Sequence, residues 1–183
     1  MYFAFVSGNP VLDLAGTVAS RRSDPLDALA TPADLERWVA RCDELPDGVT
    51  ADAAGFQSAL ALREALYRLA LDRVLGRPFD RGSLESVNAA AAGPLPTVEL
   101  SDAGLRVSGD LLAALSHLAR SGIALLADPH ANIKECGGAD CTRIYLDRSR
   151  GARRTWCGMD ECGNRVKAAA YRTRRRGARG ATP

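Results

Sequence analysis

Four cysteines in the last third of the chain have the residue type and spacing of a metal site. They form two pairs of identical spacing, Cys-x4-Cys, separated by fifteen residues: Cys136, Cys141, Cys157 and Cys162. Glycine and aspartate residues inside each pair favour the tight turns that aim two sulfurs at one ion. Four thiolates fill the tetrahedral shell of Zn²⁺ and leave no position for water, so the pattern predicts one structural zinc ion rather than a catalytic one.

Few other residues suggest chemistry. His130 lies six residues before Cys136 and is an alternative ligand, but it is interpreted as an ordinary loop histidine. His117 lies in a leucine-rich segment and is interpreted as a half-buried helix residue, and Cys42, four residues after Trp38, as a core thiol. Because the chain has only two histidines, no glycine-rich phosphate loop and no Ser-His-Asp set, we expect no enzyme activity.

Charge is distributed unevenly along the chain. Residues 134–183 contain 13 Lys/Arg and 5 Asp/Glu, a balance of +8, whereas residues 1–133 contain 11 and 17, a balance of −6. Arginine predominates in the basic part, and its guanidinium fork matches phosphate oxygens and the guanine edge. Ten residues are therefore predicted to contact nucleic acid: Arg148, Arg150, Arg153, Arg154, Arg165, Lys167, Arg172, Arg174, Arg175 and Arg176.

This basic surface has other interpretations. It could be a solvated tail with some internal ion pairs, or it could dock against the acidic half of the same chain. A structural role for Arg165, close to Cys162, is as well supported as a role in binding DNA.

Hydrophobic periodicity predicts that the first two-thirds of the chain is mostly helical. Helices are predicted from Thr31-Pro32 to near Pro46, from Thr50 to Gly76, over residues 82–92, and from Asp110 to Asp128-Pro129, and Gly122 would permit a kink in the last of them. Alternating apolar residues from Leu95 to Ser108, around a Ser-Asp-Ala-Gly turn, predict a β-hairpin.

The cysteine region is predicted to form a knuckle, a hairpin and a helix. The hairpin would pair residues 142–146 with residues 153–156, and the helix would cover residues 163–176. So small a unit has little core beyond Tyr145 and Trp156, so zinc would supply much of its folding energy. The expected fold is mainly α with a small β-hairpin and a C-terminal treble-clef-like zinc finger.

Three polar residues near the N-terminus recur at a spacing of four: Asp13, Thr17 and Arg21. On a helix they would share one face and could line a small-molecule pocket. The alternative is a plain pattern of capping and ion pairing.

The sequence also predicts the compartment. It has no run of eighteen apolar residues, which predicts no membrane span, and MYFAFVSGNP has no secretory-signal pattern. An odd number of cysteines, four of them with metal spacing, favours a reducing cytoplasm over a disulfide framework.

The cysteine segment resembles the CGNR zinc finger, named for the residues Cys162-Gly163-Asn164-Arg165. The D-R-S-R run from Asp147 and the R-R-x-W-C run from Arg153 also match, and the resemblance covers about residues 130–176. Upstream, the run LDLAGTV from Leu12, with Arg21, is similar to the opening of the ABATE domain, although Ala15-Gly16 replaces the usual asparagine before the threonine. That domain precedes this finger in bacterial proteins described as stress-induced transcription regulators.

The resemblance implies a zinc-binding transcription regulator in three parts. An α-rich domain over residues 1–129 would sense a small-molecule effector or form a homodimer, residues 130–176 would form the finger that binds DNA, and residues 177–183 would be a basic disordered tail. The alternative is a protein–protein interaction module in which zinc staples the finger to the N-terminal domain without direct DNA binding.

Overall fold

A computed structural model describes residues 2–102 and 104–163. This part of the chain contains five helices: α1 Pro10–Ala15, α2 Pro32–Val39, α3 Ala53–Val74, α4 Arg81–Ala91 and α5 Leu111–Ala127. Six short strands pair in chain order as three antiparallel ribbons: β1 Val18–Ala19 with β2 Leu26–Asp27, β3 Thr97–Ser101 with β4 Gly104–Ser108, and β5 Ile133–Glu135 with β6 Ile144–Leu146. The mainly α fold class is confirmed.

Side-chain caps set the starts of the helices. Thr31 and Asp34 form a capping box at α2, with Pro32 at the first helical position. Aspartates cap the three following helices by accepting a hydrogen bond from a first-turn amide: Asp52, Asp80 and Asp110. The predicted helices are therefore confirmed, but α2 ends at Val39 rather than near Pro46, and α3 begins three residues after its predicted start.

Helices α1, α3 and α5 pack against one another around the main core, and α2 and α4 pack on α3. The helix α5 stays continuous through Gly122, the residue that would permit a kink. A Cβ atom at Gly122 would lie 2.5 Å from Leu66 Cδ2 and 3.4 Å from Val11 Cγ1. Glycine therefore permits the close approach of α5 to both α1 and α3. Within the described ranges, every helix is too short or too polar to cross a membrane.

The ribbon β5–β6 connects the helical body to the cysteine cluster. Its register pairs Ile133 with Leu146 and Lys134 with Tyr145. Ile133, Ile144 and Leu146 pack on the main core, whereas Tyr145 belongs to the core around the cysteines. Both faces of β6 are therefore covered, one by the body and one by the finger.

The predicted hairpin of the finger is wrong in its partner strand. Residues 142–146 contain β6, but β6 pairs with β5, which precedes the first cysteine pair, and residues 153–156 form no strand. Side-chain and isolated backbone hydrogen bonds hold residues 153–156 instead, including one from Gly137 N to Thr155 O at 2.9 Å.

Candidate metal centre

The four cysteines converge on one point. One sulfur from each of Cys136, Cys141, Cys157 and Cys162 lies within 4.8 Å of all the others, and the Cys141 and Cys157 sulfurs are 3.9 Å apart. A tetrahedral zinc ion with Zn–S bonds of about 2.3 Å separates its sulfurs by about 3.8 Å. The described cysteines therefore fit one Zn²⁺ with four thiolate ligands, as the spacing predicted.

Backbone hydrogen bonds of the two turns hold the sulfurs in place. Cys136 N donates to Arg143 O at 2.9 Å, and Cys141 N donates to Gly138 O at 3.1 Å, which closes the first turn. In the second pair, Cys162 N donates to Gly158 O at 3.1 Å, at the start of a π-helical turn over Met159–Gly163. Cys157 N donates to Cys136 Sγ at 3.3 Å and so joins the two pairs.

The thiols alone cannot share this space as four anions. Hydrogen bonds from Cys141 and Cys157 lower the pKa of Cys136. The pKa of Cys157 is raised, because the Cys157 thiol is hydrogen-bonded to Cys136. Burial raises the pKa of Cys162. Thus one thiolate is favoured at the expense of its neighbours, and a bound divalent cation would supply the positive charge that lets all four ionise.

Gly138 lies inside the first turn, where little space remains. A Cβ atom there would lie 3.1 Å from Cys141 Cβ and 3.4 Å from Cys162 Sγ. We expect Gly138→Val to weaken zinc binding by at least about 10-fold in a chelator competition titration, because displaced ligands lose tetrahedral geometry. The control is Gly82→Ala in α4, where the nearest atom would be 3.7 Å away; equal zinc affinity in both variants would contradict the expectation.

Tyr145 and Arg154 form the interior of the finger beside the metal site. Tyr145 is fully buried, and its hydroxyl donates to Arg154 O at 2.7 Å; burial raises its pKa to about 12. The guanidinium of Arg154 lies 4.6 Å from the centre of the Tyr145 ring. As predicted, Tyr145 fills this core, and Trp156 packs partly buried against it.

Arg154, which is predicted to contact nucleic acid, is bound within the finger in the structure. Its Nε donates to Trp156 O at 2.7 Å, and its Nη2 donates to Val6 O at 2.7 Å and also to Cys157 O. These bonds engage Nε and Nη2, so the guanidinium of Arg154 is held by the protein's own carbonyls. Arg154 therefore ties the N-terminal segment to the second cysteine pair.

Asp147 organises the turn that follows β6. Its carboxylate accepts hydrogen bonds from Lys134 Nζ at 2.8 Å, from the amide and hydroxyl of Ser149, and from Arg154 N. The Lys134 and Ser149 contacts hold its pKa well below the ordinary range. Lys134 also donates to Ala152 O, so one ion pair fixes both ends of the turn. The sequence did not predict this role for Asp147, although the D-R-S-R run that begins there is a signal for it.

The same turn presents three of the predicted arginines to solvent. Arg148, Arg150 and Arg153 are exposed, and within the described ranges their guanidinium groups have no hydrogen bond or ion pair. We call this surface the basic turn. The described residues end at Gly163. Outside them lie the predicted helix, except for its first residue, and the six other predicted nucleic-acid contacts: Arg165, Lys167, Arg172, Arg174, Arg175 and Arg176.

The three N-terminal polar residues do not share a helix face. Helix α1 ends at Ala15, so Thr17 and Arg21 lie beyond it. Asp13 and Thr17 still line one cavity of about 350 Å³ together with Asp27 and Arg143. Arg21 instead lies over the Tyr67 ring at 3.9 Å and pairs with Glu64 on α3.

Burial governs the chemistry of this cavity. It raises the pKa of Asp13, although amide donors from Ser7 and Val6 oppose the shift. Thr17 accepts a hydrogen bond from Arg63, which is buried on α3 and forms a two-point ion pair with Asp27 at 2.7 and 2.8 Å. The sequence did not predict the Arg63–Asp27 ion pair, although an arginine on the apolar face of a helix is a signal for a buried ion pair.

The remaining reactive residues lie away from the cysteines. His130 is exposed after α5, and His117 is half-buried with Nε2 3.7 Å from Glu44 Oε2. Neither histidine belongs to the metal-ligating group found among the described residues. Cys42 is buried in the helical core, as predicted, and burial raises its pKa to about 11.

The fold and the site define a small helical protein with an attached four-cysteine zinc finger. Residues 8–129 match the ABATE family model, described as a putative stress-induced transcription regulator, and residues 132–175 match the CGNR zinc finger model. The chain therefore belongs to the ABATE family, and its C-terminal segment is a CGNR zinc finger. Both descriptions are of regulator and zinc-finger types rather than of enzymes. No curated protein matches the chain.

Proposed function

We propose that this zinc protein is a DNA-binding transcription regulator whose finger contacts the phosphate backbone. The basic turn is the observation that carries the proposal. Arg148, Arg150 and Arg153 project from a turn fixed by Asp147 and Lys134, next to the zinc ligands. Guanidinium groups with no partner in the described chain, on a pre-ordered backbone, are suited to bind phosphate oxygens. Such a role belongs in the cytoplasm, where DNA and reduced thiols occur together.

The test removes the basic turn without removing the zinc site. The triple variant Arg148→Ala, Arg150→Ala, Arg153→Ala should bind a mixed-sequence duplex at least about 10-fold more weakly than the wild type. It should also reduce the slope of log affinity against log salt by up to about three, because each lost phosphate contact removes one counterion release. Fluorescence anisotropy at several salt concentrations, on zinc-loaded protein, measures both quantities.

A matched control removes the same charge elsewhere. Arg77, Arg81 and Arg106 are exposed and lie outside the finger, and the one ion pair that the described residues give them is the exposed contact of Arg81 with Glu85. Their replacement by alanine should leave the salt slope unchanged. If both triple variants lose affinity equally, DNA is attracted by the net charge of the protein and not by the basic turn. If the wild type does not bind the duplex, the DNA proposal fails.

The N-terminal domain would supply the regulatory input, as an effector site or a dimer contact. The cavity beside Asp13 and Thr17 has a volume in the range of small-ligand pockets. Asp27 and Arg143 supply further polar groups at its wall, and Phe3 and Leu26 supply apolar area. We therefore place a small-molecule effector in this cavity, with Arg21 outside it.

A second candidate function is a protein–protein interaction module in which zinc staples the finger to the body. The observation that favours it is the close packing between the two. Leu146 N donates to Ser7 O at 2.8 Å, Arg21 N donates to the Thr142 hydroxyl at 3.1 Å, and Arg22 pairs with Glu135 at 2.6 Å. One zinc per chain with no binding to the duplex would select this function.

A further inference from the structure

The β3–β4 ribbon has an apolar face that the described part of the chain leaves open. Its register places Val98 opposite Val107 and Leu100 opposite Leu105. Because side chains alternate across a strand, these four residues lie on the same face. Val98, Leu100 and Leu105 are 65%, 87% and 68% exposed. Water therefore contacts a continuous row of branched side chains.

The opposite face of the ribbon is suited to water. Glu99 lies opposite Arg106, an opposite-charge pair in register, and Thr97 lies opposite Ser108. An antiparallel ribbon with one polar and one apolar face normally buries the apolar one. A two-stranded ribbon is also marginal in isolation, so an additional packing partner would stabilise it.

The base of the ribbon is fixed in direction by close packing. A Cβ atom at Gly109 would lie 3.1 Å from Ala113 Cβ, 3.3 Å from Pro46 Cγ and 3.5 Å from Pro96 Cα. Pro96 restricts the backbone where the chain enters β3. The ribbon is therefore a projecting arm that would lose little conformational freedom when its face is covered.

We propose that this face packs against the same face of a second copy of the chain. The apolar face carries no charge, whereas residues 1–133 as a whole carry a balance of −6. Two copies would repel each other across most of this domain and can approach most readily at an uncharged arm. A two-fold dimer also requires a self-complementary patch, and antiparallel stacking sets the leucine pair of each copy on the valine pair of the other.

The exposed area limits the size of this dimer interface. The face offers on the order of 400 Å² of apolar surface, about the size of the largest apolar patch on a typical monomer, and such patches are often functional. Leu95 and Leu112 flank the base of the arm and are 50% and 56% exposed. With their contribution, the total area buried by two copies approaches the ~1,200 Å² of the smallest stable interfaces. The dimer is therefore expected to be reversible, with a Kd on the order of micromolar.

A dimer of this kind would extend the proposed function by placing two basic turns on one duplex. The dimer itself does not depend on DNA binding. Its test is therefore made without DNA, so that failure of the dimer and failure of the regulator proposal are distinguished.

Analytical ultracentrifugation of the zinc-loaded full chain over about 1–200 μM tests the proposal, since a micromolar dimer titrates in this range. The average mass of the wild type should rise from that of the monomer towards twice that value. Leu100→Glu should weaken the association at least about 10-fold, because it places a charge in the apolar contact. Ser108→Glu adds the same charge to the polar face, beside Arg106, and should dimerise as the wild type does.

Three results would overturn the proposal. A wild type that stays monomeric throughout has no such dimer. A dimer that Leu100→Glu leaves intact uses another surface. The third result is a monomer whose melting temperature is clearly lowered by Leu100→Glu but not by Ser108→Glu. In such a monomer the apolar face is covered by a segment of the same chain.

Discussion

Replacing Cys157 by serine is expected to abolish stoichiometric zinc binding and to lower the melting temperature of the whole chain. Cys157 is fully buried at the junction of the two cysteine pairs. Zinc contributes about 10 kcal/mol or more to the folding of small finger units. Part of that free energy stabilises β6, whose Ile144 and Leu146 pack on the helical core. At about 2–4 °C per kcal/mol, a melting temperature lower by about 10 °C or more follows.

Metal analysis and thermal unfolding followed by circular dichroism measure the two effects on one sample. The control is Cys42→Ala, which removes a cysteine that is buried in the helical core and is not in the cluster. Because burial keeps the pKa of Cys42 near 11, this thiol stays neutral at pH 7 and does not compete for metal. The control should keep one zinc and lose only about 1–2 kcal/mol. A Cys157→Ser protein that retains full zinc and the wild-type melting temperature would show that the cluster does not bind metal as proposed.

Arg154→Lys is expected to destabilise the protein by about 3 kcal/mol although it conserves the charge. The guanidinium of Arg154 donates to three carbonyls, those of Val6, Trp156 and Cys157, and stacks on Tyr145. A lysine ammonium lacks the planar fork that reaches all three from one position. Each carbonyl left without a donor in a part-buried site costs about 1–3 kcal/mol.

The neighbouring residue provides the matched control. Arg153 is exposed, and its side chain has no partner in the described part of the chain. Arg153→Lys should therefore change the free energy of unfolding by no more than about 0.5 kcal/mol. Urea unfolding followed by tryptophan fluorescence measures both variants, and zinc release to a chelator should be faster for Arg154→Lys alone. Equal unfolding free energies for the two variants would refute the structural role of Arg154.

The sequence predicted the helices and the zinc ligands because local rules govern both. Caps such as Thr31 and Asp110 act within one turn, and two Cys-x4-Cys pairs define a tetrahedral shell without knowledge of the rest of the fold. The hairpin over residues 95–108 was equally local.

Contacts between distant segments could not be predicted in the same way. The strand β5 has only three residues and no periodicity of its own, so its pairing with β6 depends on the body that packs beneath it. Arg153 and Arg154 are adjacent and identical in type, yet one is exposed and the other binds the N-terminal segment. No sequence pattern distinguishes the two arginines, because only the folded chain brings the carbonyls of Val6 and Cys157 within reach of Arg154.

The ribbon β5–β6 gives the metal site and the cavity a shared structural element, through which we expect them to be thermodynamically linked. One face of the ribbon lies on the helical body and the other lies on the finger, and Arg143, between the two cysteine pairs, lines the cavity that Asp13 and Thr17 share. If an effector changes the affinity of the chain for zinc by some factor, then zinc must change the affinity of the chain for that effector by the same factor. Metal occupancy would then act as a second, reciprocal input to the domain in which we propose the effector site.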